Sequence, residues 1–110
     1  MFSPELKKGS MELLVLSMLE DRSRHGYEIG QLIELRSGGR LEFKVSTLYP
    51  VLARMENRGW TTGKWVEKAG ERRRCFYTLT EEGKRTLAEQ RERWKEFIVA
   101  VGMVVEESHG

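Results

Sequence analysis

The side chains that most often carry out nucleophilic, acid–base or metal chemistry are scarce in this chain. Cys75 is the single cysteine, and the two histidines are His25 and His109. The histidines have no partners at metal-ligand spacing, and these three residues do not assemble a nucleophile, a base and an orienting group. We therefore expect no catalytic residue, no metal site and no cofactor, although a site built from acidic side chains alone stays open.

Basic side chains, by contrast, are concentrated in one part of the chain. Residues 1–79 contain 14 Lys and Arg against 10 Asp and Glu, a net charge of +4, whereas residues 80–110 contain 5 against 7, a net charge of −2. The segment 64–74 alone holds five basic residues and two acidic ones. Such a local basic region suits a nucleic-acid partner, although small charge excesses also serve solubility.

The stretch STLYPVLARMENRGW, residues 46–60, has the pattern of an amphipathic helix with an unusual polar side. Its apolar positions follow helical spacing and form one stripe, which consists of Leu48, Val51, Leu52 and Met55. The opposite side is small and smooth, with Ser46, Pro50, Ala53 and Asn57 flanked by Thr47, Tyr49 and Arg54. A helix that enters the DNA major groove needs short side chains at the closest approach and cations along its edges. Taken alone, the segment fits a surface helix that carries a proline equally well.

Pro50 constrains where this helix begins, because proline has no backbone N–H. A residue of the first turn has no intrahelical hydrogen bond to lose. We therefore expect the helix to begin at about Ser46 or Thr47, whereas an earlier start would place a kink at the proline.

A basic hairpin is predicted directly after the helix. Two β-rich runs, at about 60–66 and 73–79, flank the turn sequence EKAGE, in which Gly70 permits the reversal. Lys68, Arg72, Arg73 and Arg74 lie at its tip and in its second strand, where they are placed to reach a DNA backbone. The alternation of residues 75–78 does not decide which side faces the core. An edge hairpin made soluble by its charges is the alternative, but the order of helix and basic hairpin favours nucleic acid.

Two further helices and a linker must hold this pair in place. The sequence SMELLVLSMLED predicts a first helix capped by Ser10, and HGYEIGQLIELRSGG predicts a second that ends at Gly38 and Gly39. The linker RLEFKV, residues 40–45, alternates and predicts a minor strand. The longest apolar block, residues 98–105, is too short to cross a membrane, so we expect a cytoplasmic protein with no membrane partner.

The C-terminal segment predicts a long helix, capped by Thr80, whose apolar stripe is too extensive for one small domain to cover. The stripe consists of Leu87, Trp94, Phe97, Ile98, Val101 and Val105. Pairing with the same helix of a second chain would bury it, which predicts a homodimer. Gly102 and the β-branched residues around it lower helix propensity, so we expect the helix to fray after Gly102.

Three motifs resemble those of the PadR family of winged-helix transcriptional regulators: HGYEI at 25–29, STLYPVLARMENRGW at 46–60 and GERRRCFYTLTEEGK at 70–84. The resemblance implies a mainly α (α+β) winged helix-turn-helix fold with three helices and a two-stranded wing, followed by a long C-terminal dimerisation helix. Residues 1–79 would form the DNA-binding domain, and residues 80–110 the dimerisation helix of the same compact unit. The family resemblance further implies a homodimeric repressor of a roughly palindromic double-stranded DNA operator, with a small aromatic or lipophilic effector in some members.

Residue by residue, the resemblance assigns Thr47, Tyr49 and Pro50 to the recognition helix, and Gly70, Arg72 and Arg74 to the wing. Combined with the pattern of the helix and hairpin, it gives a predicted DNA-binding set of Lys44, Ser46, Thr47, Tyr49, Pro50, Arg54, Lys68, Arg72 and Arg74. Lys44 and Val45 depart from the family, which often has a serine or asparagine cap and a small residue there. Tyr49 either contacts phosphate or packs beside the hairpin.

Two assignments outside that set complete the sequence-based expectations. His25 and Tyr27 are expected to support the helix-turn-helix from buried positions. Trp94 either stacks on an aromatic effector between the subunits or simply packs the dimer interface. A winged helix that binds another protein instead of an operator is the alternative function.

Overall fold

Four helices and a three-stranded antiparallel sheet make up the fold. The structure is a computed structural model that describes residues 4–106, with side chains from residue 10 onward. The elements along the chain are α1 Pro4–Met18, β1 Arg24–His25, α2 Gly26–Arg36, α3 Val45–Asn57, β2 Thr61–Val66, β3 Arg74–Leu79 and α4 Glu81–Val105. This arrangement confirms the predicted winged helix with a long C-terminal helix. His109 lies outside the described residues.

The core sits where α1, α2 and α3 meet. Leu16, Ile29 and Leu52 are among its fully buried side chains. The predicted apolar stripe of α3 is confirmed, because Leu48, Val51, Leu52 and Met55 are all buried. Periodicity alone identified these positions, since only one face of a helix can meet a core.

The predicted start of α1 at Ser10 is wrong, because the helix begins at Pro4 and Ser10 lies within it. Proline is well accommodated at the first helical position, where its missing N–H has no intrahelical partner. The start of α1 therefore follows the proline and not the later serine.

The sheet has the order β1-β3-β2, in which Arg74 of β3 lies opposite Val66 of β2 and Leu79 lies opposite Thr61. Both wing strands begin and end within one residue of the predicted limits, and Gly70 has a φ of 78° in the turn between them. Tyr77 and Leu79 pack on the core, which identifies the inward side of β3.

The strand predicted at residues 40–45 is wrong: residues 41–44 form an irregular linker and Val45 already belongs to α3. Leu41 and Phe43 alternate because both pack against the core from the linker. The third strand is instead β1, whose two residues are too few for any periodic pattern to show. Phe76 of β3 pairs with His25 of β1, and Tyr77 pairs with Arg24.

The start of α4 is hydrogen-bonded to the segment that precedes β2. The Thr80 hydroxyl accepts a hydrogen bond from the Gly83 amide at 3.0 Å, as its predicted role as cap requires, and donates to the Gly59 carbonyl at 2.6 Å. A Cβ at Gly83 would overlap the Trp60 carbonyl, so glycine is required at this close approach.

The C-terminal half of α4 lies mostly outside the core. The helix continues to Val105, so the expected fraying after Gly102 is wrong. Every residue from 92 to 101 is exposed. Over residues 4–106, no helix has the length and apolar content needed to span a lipid bilayer.

Candidate nucleic-acid interface

The N-terminus of α3 is open and has positive electrostatic character. Lys44 is the N-cap residue, but its side chain makes no capping hydrogen bond, and the first turn contains no acidic residue. The amides of Thr47 and Leu48 both donate to the Lys44 carbonyl, at 2.9 and 3.2 Å. The amides of Val45 and Ser46 precede that first bond, so they and the helix dipole are directed towards any approaching anion.

The helix begins earlier than the predicted Ser46 or Thr47, because Val45 is its first residue. Pro50 consequently lies in the second turn, where the missing N–H leaves the Ser46 carbonyl without its normal donor. The small face predicted for DNA is exposed along its whole length, at Ser46, Thr47, Pro50, Ala53 and Asn57. Lys44 and Arg54 are also exposed, so this side of α3 is free of intramolecular packing.

A cleft of about 990 Å³ separates the start of α3 from the wing. It brings together three members of the predicted DNA-binding set, Tyr49, Arg72 and Arg74. Lys68 lines a smaller adjoining depression together with both arginines. Lys44, Ser46, Thr47, Pro50 and Arg54 line neither and lie along α3 outside the cleft.

The three consecutive wing arginines have different environments. Arg72 is exposed and has no hydrogen bond or ion pair with another residue of the described part of the chain. The Arg73 guanidinium lies 4.5 Å from the centroid of the exposed Trp65 ring. Arg74 is partly buried, with Nη1 at 3.4 Å from His25 Nδ1 and the guanidinium 5.8 Å from the Tyr27 ring centroid.

His25 occupies a supporting position, as expected, whereas Tyr27 does not. The His25 ring is largely buried, accepts a hydrogen bond from the Glu28 amide at 3.3 Å and meets the Phe76 ring edge-on at 5.2 Å between centroids. Tyr27, which was expected to be buried, is 51% exposed and lines the cleft. Tyrosine is suited to a half-exposed position because its hydroxyl can remain in water while the ring packs. The helical periodicity of α2 did not place Tyr27 on the core face.

Tyr49 packs on its own chain at one edge and is otherwise exposed. Its ring is 56% exposed, yet an added Cβ at Gly26 would come within 3.3 Å of Tyr49 Cε1. One edge of the ring therefore packs on the start of α2, and the rest faces the cleft. A side chain at Gly26 would displace it.

Two titratable side chains of the cleft, His25 and Tyr77, have pKa values shifted in the direction that favours their neutral forms. Burial, together with the nearby Arg74, lowers the pKa of His25 below its usual value. Burial raises the pKa of the Tyr77 hydroxyl, and its hydrogen bond with Cys75 acts in the same direction. At neutral pH the positive charge of the cleft therefore comes from its arginines, which suits contact with phosphate.

The apolar stripe of α4 forms a second exposed surface. Five of its six predicted members, Trp94, Phe97, Ile98, Val101 and Val105, are between 37% and 70% exposed. The assignment of Leu87 to a dimer interface is wrong, because Leu87 is only 2% exposed and lies in the core of its own chain. Leu87 fits the heptad pattern because the same apolar stripe runs along all of α4. The stripe packs in the core near the start of the helix and is exposed further along.

Trp94 borders a shallow groove between α1 and α4. The groove has a volume of about 330 Å³ and is lined in part by Leu13, Gln90, Arg93 and Phe97. The Trp94 and Phe97 rings lie 6.2 Å apart between centroids and are tilted by 32°. These two rings offer an exposed apolar surface beside the cation of Arg93.

Comparison with known protein families gives a match over residues 15–89 to the transcriptional regulator PadR-like family. Among solved structures, a transcriptional regulator from Clostridium thermocellum superimposes with a TM-score of 0.87 at 26% identity, covering 96% of this chain and 100% of the other. A PadR family transcriptional regulator from Eggerthella lenta has a TM-score of 0.78 at 32% identity, covering 94% and 88%.

The chain also shares its fold with Bacillus subtilis PadR, whose structure was solved in complex with operator DNA. The TM-score is 0.66 at 21% identity, and the alignment covers 88% of this chain and 59% of the other.

Proposed function

Because the chain belongs to the PadR-like family of transcriptional regulators, we propose that it binds a roughly palindromic DNA operator as a homodimer and represses transcription. The observation that carries the proposal is the cleft in which Tyr49 of α3 meets Arg72 and Arg74 of the wing, beside the open N-terminus of α3. The operator complex of the B. subtilis relative shows that this fold accepts DNA in that protein.

In this proposal α3 is the recognition helix and the wing binds the sugar–phosphate backbone. Ser46, Thr47 and Pro50 are short enough to let the backbone of α3 approach base edges, and Arg54 contacts phosphate from its flank. Lys44 and Tyr49 bind phosphate at the start of the helix, while Lys68, Arg72 and Arg74 do so from the wing.

The dimer in this proposal forms through α4. Trp94, Phe97, Ile98, Val101 and Val105 leave an uncovered apolar stripe, which a second copy of the helix would bury. Residues 1–79 then act as the DNA-binding part and residues 80–110 as the dimerisation helix. Two such chains would place their recognition helices roughly 34 Å apart, one turn of B-DNA, or a multiple of that spacing.

An effector site is proposed in the groove beside Trp94. A small aromatic or lipophilic compound would stack on the Trp94 and Phe97 rings at the boundary between subunits. It would relieve repression only if it binds more tightly to a dimer whose recognition helices are wrongly spaced for the operator. Membership of a family of transcriptional regulators favours a regulatory role over an enzymatic one. We propose a cytoplasmic location on the same ground.

Selection of binding sites from a random pool of DNA duplexes, followed by fluorescence anisotropy over a salt series, tests the DNA-binding part of the proposal. We expect the selected duplex to bind preferentially, with two chains per site and steep salt dependence. Arg72→Ala should remove one phosphate contact and reduce the slope of log K against log salt by about one.

Lys95→Ala is the matched control, because it removes one exposed cation from α4 at a distance from the wing. This variant should keep the native salt slope. Failure to enrich any duplex, or equal binding to selected and scrambled duplexes, would favour the alternative that the winged helix binds another protein.

A further inference from the structure

We propose that His25 and Tyr27 position Arg74 of the wing for its phosphate before DNA binds. The proposal rests on the proposed DNA-binding function for its consequence, but its structural part concerns the free protein. Arg74 is the one wing arginine that contacts the start of α2 among the described residues, through His25 on one side and Tyr27 on the other.

In the contact between Arg74 and His25, the donor and the acceptor can be assigned. Arginine carries only hydrogen-bond donors, and the Glu28 amide is a donor as well. Both approach His25 Nδ1, at 3.4 Å from Arg74 and 3.3 Å from Glu28. Nδ1 must therefore hold a lone pair, and the ring proton belongs on Nε2, which lies 4.0 Å from Glu28 Oε1. The nitrogen that caps α2 is thus the same atom that holds the wing arginine.

The position of the imidazole is fixed from a third direction. His25 and Phe76 are directly opposite each other in the β1–β3 ladder, and their rings meet edge-on at 5.2 Å. His25 cannot easily change rotamer without losing this contact and the cap. His25 Nδ1 is therefore a fixed hydrogen-bond acceptor for Arg74, which lies two positions before Phe76 on β3.

Tyr27 restrains the same guanidinium through the face of its ring. The 5.8 Å separation from the ring centroid lies within the range of a cation–π contact. Tyr27 is half exposed, so this ring contributes little to the core and its contact with Arg74 leaves part of the guanidinium facing the cleft. The remaining donors of Arg74 stay available for a phosphate.

Such restraint matters because a free arginine loses rotamer freedom when it binds DNA. Arg74 would have lost part of that freedom already, whereas Arg72, with no partner in the described chain, would lose it on binding. The sequence HGY therefore has a function in the interface that neither its apolar pattern nor its cap explains.

The first test uses the free protein and needs no DNA. ¹⁵N relaxation of the arginine Nε–H groups should show Arg74 restrained and Arg72 mobile. His25→Ser keeps a good N-cap residue for α2, but its hydroxyl oxygen is one bond closer to the backbone than His25 Nδ1 and should not reach Arg74, so Arg74 should become nearly as mobile as Arg72. An Arg74 side chain that is already as mobile as Arg72 in the native protein, or is unchanged in His25→Ser, overturns the proposal.

The second test is a double-mutant cycle of DNA affinity with the selected duplex. His25→Ser should weaken binding by about 3- to 10-fold in the native background, the scale of one immobilised side chain. In an Arg74→Ala background it should have an effect of less than about 1.5-fold, since His25 acts through Arg74. An equal loss in both backgrounds would show an independent, merely structural role and overturn the proposal.

Tyr27 provides variants that do not touch the cap. Tyr27→Leu should weaken binding only when Arg74 is present, and Tyr27→Phe should retain native affinity because the ring face remains. A loss in Tyr27→Phe would mean that the hydroxyl contacts DNA itself and would overturn the positioning role of Tyr27. A native protein that prefers no duplex overturns the proposed function, and the mobility of Arg74 then decides the positioning proposal by itself.

Discussion

Arg22 and Arg24 both pair with Glu28, but their surroundings differ. Arg22 approaches Glu28 to 2.6 Å with 60% of its side chain exposed, whereas Arg24 lies at 3.4 Å with only 6% exposed. Arg24 also donates to the Met18 carbonyl at 2.8 Å and to Asp21 at 3.0 Å, so it joins the end of α1 to the start of α2. Burial should matter more than distance for how much each ion pair stabilises the fold, because water screens the exposed pair and competes for its hydrogen bonds.

We predict that Arg24→Ala lowers the free energy of unfolding by about 2–4 kcal/mol, since it removes the donor of the buried hydrogen bond to the Met18 carbonyl and leaves the partly buried Glu28 without its buried partner. Arg22→Ala removes the shorter ion pair with the same glutamate and should lower it by less than about 1 kcal/mol. Urea denaturation of the two variants measures the difference. Equal effects would show that separation, and not burial, determines the contribution of each pair.

The titration of His25 gives a second residue-scale prediction. Its pKa is lowered by burial and by Arg74, so the folded protein binds this proton less readily than the unfolded chain, whose value is near 6.5. Stability from the neutral ring is therefore complete above about pH 6.5 and decreases as pH falls through the folded-state pKa. We expect the free energy of unfolding to decrease from about pH 7 to about pH 5.

His25→Asn is the reference for this titration, because it removes the ring while keeping a residue suited to the cap. Its free energy of unfolding should depend less on pH over the same range. Arg91 lowers the pKa of Glu20, and Arg24 lowers that of Asp21, so these carboxylates contribute mainly below this range. Parallel pH profiles for the two proteins would contradict the prediction.

At the scale of elements, α3 combines a buried apolar stripe with an exposed face that includes a proline, a residue with low helix propensity. Pro50 lies in its second turn, where it removes a hydrogen bond to the Ser46 carbonyl. The buried side chains of Leu48, Val51 and Leu52 stabilise the helix in spite of the proline. Tertiary packing therefore determines that residues 45–57 are helical, and the exposed face is free to serve another purpose.

We predict that Pro50→Ala raises the free energy of unfolding by about 1–3 kcal/mol, because it restores a donor in a helix interior. Asn57→Ala, on the same exposed face but in the last turn, should change it by no more than about 0.7 kcal/mol, the range of ordinary propensities. Thermal unfolding of both variants is the measurement. A less stable Pro50→Ala protein would show that the proline ring contributes packing that outweighs the missing bond.

At the scale of the whole molecule, α4 makes the single chain unusually extended. The described chain measures 66 × 30 × 21 Å, and its radius of gyration is 16.1 Å. A compact domain of this length would have a radius of about 13 Å. The difference reflects the second half of α4, which carries exposed apolar side chains beyond the reach of its own core.

We predict that Ile98→Lys raises the dimer dissociation constant by at least about 10-fold, because it would bury an unpaired charge in the proposed interface. Glu92→Lys introduces the same side chain away from the stripe and should leave the dimer intact. Analytical ultracentrifugation over a concentration series distinguishes the two. An Ile98→Lys protein that dimerises as well as the native chain would mean that another surface forms the dimer.

The sequence by itself determined what local rules and periodicity control. The spacing of Leu48, Val51, Leu52 and Met55 defined the buried stripe of α3, Gly70 defined the turn of the wing, and Thr80 defined the start of α4. Each of these signals is contained within a few neighbouring residues, because helix spacing, turn conformation and capping depend on local geometry.

Only the tertiary structure decided features that depend on residues far apart in the chain. β1 exists because it pairs with β3, the inward side of β3 is set by the core, and Leu87 is buried because the body of the chain lies against the start of α4. The contacts of Arg74 with His25 and Tyr27 join segments almost 50 residues apart in sequence. No local pattern encodes such pairings, because they arise when separate elements compete to bury apolar surface and satisfy their polar groups.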